Sequence, residues 1–150
     1  MGTAHDTQQG GTDSCRNCHE QHGANQQAFL LDTYVMSDGN QWTQGDGDYQ
    51  LCWNCHDEDY IMNQDNAFEN LHDKHVKGAR APCAMCHDAH APHDAGESLI
   101  NFDFAVQNGY DIEYIDGRDV STSFWRDTTD GFCYITCHNK KHDPKDYARQ

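Results

Sequence analysis

Aliphatic residues are what this chain has least of. Leu, Ile, Val and Phe together make 20 of its 150 residues, about 13%. A highly charged chain is expected to stay disordered below roughly 20%. Basic residues are scarce as well: 10 Lys and Arg against 25 Asp and Glu leave a formal net charge of −15. Such a balance repels phosphate backbones and anionic lipid, which argues against nucleic acid and membrane surfaces as partners. No apolar run approaches the length of a membrane-spanning helix. The opening "MGTAHDTQQGG" has neither the basic start nor the apolar middle of a secretory leader, so the expectation is a mature chain numbered after cleavage. The side chains alone cannot build a core that offsets chain entropy. Something else must supply apolar mass.

Cysteine and histidine are the abundant residues, at 8 and 11. Six of the cysteines fall in Cys15-Arg-Asn-Cys18-His19, Cys52-Trp-Asn-Cys55-His56 and Cys83-Ala-Met-Cys86-His87. This is the attachment signature of c-type haem: two thiols form thioethers to the vinyl groups, and the next histidine reaches the iron. At this composition one such motif arises by chance roughly 0.03 times, so three are not accidental. Zinc ribbons also pair Cys-x-x-Cys units, but zinc does not ask for a histidine after every second cysteine. A disulfide framework would leave the histidines unexplained.

Two cysteines remain, in "GFCYITCHNKKH". Three residues separate Cys133 from Cys137, one more than in the regular motif, and His138 follows directly. A small bulge can absorb the extra residue. A disulfide between them would explain neither His138 nor the nearby His142. Four covalently bound haem c groups are therefore expected, with Cys15, Cys18, Cys52, Cys55, Cys83, Cys86, Cys133 and Cys137 as tethers and His19, His56, His87 and His138 as proximal ligands.

Seven histidines are left: His5, His22, His72, His75, His90, His93 and His142. Met1 starts the chain and Met85 sits inside a motif, leaving only Met36 and Met62, so histidine on both iron faces is the natural reading. His22 and His90 lie three residues after a proximal histidine, and His142 four after another. None can readily cross its own haem, but each can serve a neighbour's. Phe68, Leu71, His72, His75 and Val76 share one face of a helix that Asp65 or Asn66 caps and Gly78 ends. His22, His72, His75, His90 and His142 are thus the distal candidates, with His5 and His93 the weaker ones.

Residues 52 to 147 resemble the multihaem cytochromes c with doubled Cys-x-x-Cys-His motifs. The likeness rests on "LCWNCHDED", "NLHDKHV", "CAMCHDAHAP", "LINFD" and the closing "CYITCHNKKHDPKDY". It implies low-spin haems carrying electrons in periplasmic or cell-surface chains, and it supports His75, His90 and His72 as distal ligands. Residues 15 to 51 resemble the family less closely, which leaves His22 less supported.

The expected architecture is mostly irregular with short helices, cored by haem, and unfolded without it. Residues 1 to 14 read as a polar tail and 15 to 150 as one tetrahaem domain. "LINFDFAV" alternates Ile100, Phe102, Phe104 and Val106 in a strand pattern. "YDIEYIDGRDVSTSFW" reads as a hairpin turning at Asp116-Gly117. The function expected is electron transfer through closely spaced haems, not enzymatic, with redox proteins or extracellular acceptors as partners. The alternative is a multihaem reductase with one substrate-accessible haem. A further reading is a homopolymer similar to extracellular cytochrome filaments, in which a tail histidine such as His5 serves the next subunit's haem.

Overall fold

Elements in this chain are short because turn formers interrupt every apolar run. The computed structural model describes His5 and residues 11–63, 71–90, 99–119, 123–126 and 131–146. It divides into two compact units. The first is Met1–Cys83 with Ala89–Asp94, and the second is Ala84–Asp88 with Ala95–Gln150.

In the first unit, α1 spans Gly11–Arg16, α2 Gln50–Trp53 and α3 Glu58–Asn63. A 3₁₀ turn at Gln27–Phe29 and a π-helical turn at Asp73–Gly78 complete it. The Asp57 carboxylate accepts the Tyr60 N–H at 2.9 Å and so caps α3, directly after the second motif. The loop before α2 braces itself. Asp46 accepts the Thr43 and Asp48 N–H groups, and Gly45 and Gly47 take the positive φ of 75° and 83° that the path requires. Trp42, Tyr49, Met62 and Val76 form a small buried cluster, with Tyr34, Val35, Trp53 and Ile61 packed against it.

In the second unit, α4 covers Phe102–Gln107 and the strands are β1 Ile112–Tyr114, β2 Phe124–Arg126, β3 Gly131–Cys137 and β4 Lys140–Asp146. β3 is central. β4 runs antiparallel along one side of it; β1 pairs with Ile135–Cys137 and β2 with Gly131–Cys133. His138 and Asn139, at φ 49° and 59°, make the two-residue turn that joins β3 to β4.

Two expectations are corrected here. "LINFDFAV" is not a strand. Asn101 caps a helix by accepting the Phe104 N–H at 3.2 Å, and Phe102 and Ala105, three apart, are the buried face. The helix closes with Gly109 at φ 84°, its N–H on the Val106 carbonyl and that of Tyr110 on the Ala105 carbonyl. The hairpin at Asp116-Gly117 is also replaced. The chain does turn there, at φ 55° and 71°, but β1 and β2 pair with β3 and not with each other. The coarse expectation holds: short helices, a small antiparallel sheet and much irregular chain.

Candidate haem-binding site

Adjacent cysteines and histidines can grip one flat ligand only if the backbone coils between them. In the first motif the Cys18 N–H donates to the Cys15 carbonyl at 3.2 Å and the His19 N–H at 2.9 Å. In the second, Cys55 and His56 donate to the Cys52 carbonyl at the same 3.2 and 2.9 Å. The third opens on a 3₁₀ turn, Cys83–Met85. One turn of helix puts cysteines three apart on one side, which is what two thioethers to one porphyrin need.

The first and third motifs share a second device. Leu31 N–H donates to the Cys18 carbonyl and Glu20 N–H to the Phe29 carbonyl, forming a bridge of His19 with Leu30. Asn101 N–H likewise donates to the Cys86 carbonyl and Asp88 N–H to the Leu99 carbonyl, bridging His87 with Ile100. Each motif histidine is thus pinned by a downstream strand-like contact. Phe29 and Leu99, at φ 56° and 58°, occupy the same strained position in each bridge.

The fourth motif is built differently. Cys133, Ile135 and Cys137 lie along the extended β3, with a register shift between Cys133 and Ile135. Four residues of strand span about 13 Å, well beyond one helical turn. His138 occupies the hairpin turn, and His142 stands opposite Ile135 on β4. The small bulge expected from the spacing is present, but in a strand.

Two imidazoles are oriented as metal ligands commonly are. His19 Nδ1 lies 2.9 Å from the Ala28 carbonyl, and His75 Nδ1 2.7 Å from the Leu71 carbonyl. Donation from Nδ1 makes Nε2 the nitrogen that carries the ring's lone pair. Burial, the larger effect, holds His75 below the ordinary histidine range, although the Leu71 bond opposes it. Burial, with the nearby Lys74 charge, thus favours the neutral imidazole that a metal ligand must be. His19 and His90 have ring centroids 5.9 Å apart at 22°, and His5 and His56 stand 6.0 Å apart at 19°.

The sulfurs also cluster. Burial raises the Cys18 thiol, and neighbouring Cys52, Cys55 and Cys15 add to it. A hydrogen bond from Cys83 lowers Cys52 against the opposing effect of burial. Burial pushes Cys86 up to about 12, with Cys133 and Cys137 contributing. Motifs that are distant in sequence are thus neighbours within each unit. Cys133 is buried and the Cys86 thiol is enclosed although its residue is half-buried, whereas Cys15 and Cys55 are exposed, which is unusual for a residue type that commonly packs inside. The buried indole N–H groups of Trp42 and Trp53 have no acceptor, and haem propionates are acceptors of the kind they lack. These features fit haem. Among the described residues no three His, Cys, Asp or Glu side chains gather as a zinc site would need.

Of the other predicted ligands, His72 opens the π-helical turn, His87 is half-buried and His22 is exposed. Asp65, Asn66, Phe68 and His93 lie outside the described residues. His5, one of the two weaker candidates, stands beside the His56 ring. It has no informative spacing, and only its position against His56 marks it.

Residues 5–60 match the family of the doubled CXXCH motif. The match spans the first two motifs, and overlaps the resemblance drawn on residues 52 to 147 at the second. No curated protein and no solved structure matches. The match covers little more than a third of the chain and supports a c-type, multihaem cytochrome-like protein; the paired motifs indicate covalently bound haem c. Haem-binding electron transfer is the function they indicate. No helix among the described residues is long and apolar enough to cross a membrane.

Proposed function

We propose that this chain is a four-haem electron carrier of the periplasm or cell exterior, with histidine on both faces of every iron. When bound, the haem supplies the one-electron chemistry. The chain's part is to tether, to ligate and to space. Eight cysteines in four pairs, each pair followed by histidine, would hold one haem per roughly 37 residues (150/4). The observation that carries the reading is the coiled backbone shared by the first and second motifs, with the same pair of hydrogen bonds in each. The sulfur clusters support short spacing, since thiols of successive motifs lie close enough to shift one another. The fourth haem requires β3 to draw up at its bulge, so that Cys133 and Cys137 reach one porphyrin edge.

Closed axial positions favour carrying electrons over reducing a substrate. The reductase alternative needs an open iron or an unusual proximal ligand such as lysine, and every motif here ends in histidine. The finer reading is a homopolymer that joins haem rows end to end. Exposed His22, whose backbone N–H rests on the Glu20 carboxylate, is a histidine that a neighbouring copy's haem can take.

Intact mass tests the count. Four haems should add close to 2.5 kDa to the 17.1 kDa polypeptide. Three haem masses would mean that the strand-borne pair is empty. Rapid carbon monoxide binding by the reduced protein at neutral pH would favour the reductase. Electron microscopy of purified protein, repeated with His22→Ala, tests the polymer: discrete particles of about 20 kDa under all conditions would end it.

A further inference from the structure

We infer that His5 and His90 are the in-chain distal ligands of the haems tethered at Cys52/Cys55 and Cys15/Cys18. The inference rests on the haem reading above and names which histidine completes which iron. Two imidazoles packed directly face to face have centroids about 3.5–4 Å apart, and offset-stacked pairs about 4.5–7 Å. Two imidazoles on opposite sides of one metal stand about 6 Å apart, given metal–nitrogen bonds of about 2 Å and a ring radius of about 1 Å. The observed separations are 6.0 Å for His5–His56 and 5.9 Å for His19–His90. Both pairs join a motif histidine to one from elsewhere in the chain, and both lie within the first unit. Their interplanar angles, 19° and 22°, also agree. In the second pair the Ala28 carbonyl occupies His19 Nδ1, so Nε2 is the nitrogen left to bind. A pair of imidazoles is a complete protein contribution for haem, which brings four nitrogens of its own, and half of one for tetrahedral zinc.

The wiring is crossed. A histidine preceding the first motif completes the second haem, and one following the third motif completes the first. Residue 5 is then part of a haem site, which withdraws it from the trans-subunit role considered from sequence. Near-parallel rings also predict a resolved rhombic EPR signal for these two ferric haems, where perpendicular rings would give one broad low-field feature.

The test uses full-length holoprotein, with mass, optical spectrum and EPR read together. His5→Ala and His90→Ala should each convert one haem from low to high spin while covalent haem mass stays whole; the double variant should convert two. The wild-type low-spin signal should not change on dilution. His5→Met and His90→Met should each keep six ligands and raise the potential of one haem, since methionine opposite histidine does so. These two decide the case if an alanine variant loses its haem. Full low-spin spectra in both alanine variants, unshifted potentials in both methionine variants, or high spin appearing on dilution would overturn the assignment alone. A wild-type chain without covalent haem would overturn the haem reading and this inference with it.

Discussion

An imidazole has two nitrogens and can turn only one toward a metal, so the bond made by the other is as informative as the ring's position. The sequence spacing named His75 a ligand candidate, and the structure adds why it is suited. Its Nδ1 is held by the Leu71 carbonyl one helical turn back, and burial disfavours its charged form. His75→Ala should open one axial position, giving uptake of about one carbon monoxide per reduced chain where the parent takes none. A parent-like spectrum would remove His75 from the ligand set. Motif residues were legible because covalent attachment fixes their spacing. Candidate distal ligands are less legible, because the haem each would serve depends on tertiary placement. His90 stood out at three residues past a motif, yet its ring faces His19 of another motif. His5 stood out only as a tail histidine that could serve another copy's haem, and its place beside His56 has no signature in spacing.

At the scale of elements, period-2 and period-3.6 readings compete over short runs, and end signals decide between them. Ile100, Phe102, Phe104 and Val106 alternate as a strand would, but Asn101 ahead of Phe102 and Gly109 after Asn108 are helix-end residues. Val106, placed inside by the strand reading, is 43% exposed on α4. The strand signal of β3 was hidden by its cysteines, which read as haem tethers first. Asn101 also donates from Nδ2 to the Asp88 carboxylate at 2.9 Å, just past the third motif. Asn101→Ala removes both bonds and should destabilise the fold by about 1–2 kcal/mol, checked by denaturant unfolding. Tyr114 on β1 donates to Asp103 of α4 at 2.6 Å. Burial first, then this bond, raises its folded pKa above the ordinary 10.0. The unfolded chain therefore loses the Tyr114 proton first, so this contribution is whole below pH 10 and fades as pH rises toward the folded value. Tyr114→Phe should flatten that alkaline fall in stability, and an unchanged slope above pH 10 would show the bond to be idle.

At the scale of the molecule, two quantities oppose folding: little aliphatic mass and much like charge. The buried apolar residues form small groups, such as Trp42, Tyr49, Met62 and Val76 in the first unit. Haem is the remaining source of apolar area, so a chain expressed without haem attachment should show no cooperative thermal transition by circular dichroism. A sharp transition in that apo chain would mean the small cores suffice. Charge gives an independent handle. A formal charge of −15 favours expansion through self-repulsion. Against it stand surface ion pairs such as Lys77–Asp73 at 3.2 Å and Lys141–Asp143 at 2.5 Å. Exposed pairs are each worth about 0–1 kcal/mol, and with 10 cations for 25 anions most carboxylates have no cation to pair with. Repulsion should therefore outweigh attraction, and the two respond oppositely to salt. Raising ionic strength from about 0.01 to 0.15 M shortens the screening length from about 30 to 8 Å. The melting temperature of the holoprotein should rise over that range. The same screening lowers the barrier between acidic copies, so any polymer should also assemble more readily with salt. A melting temperature that falls with salt would mean that the few ion pairs, and not the excess of carboxylates, govern this molecule's electrostatics.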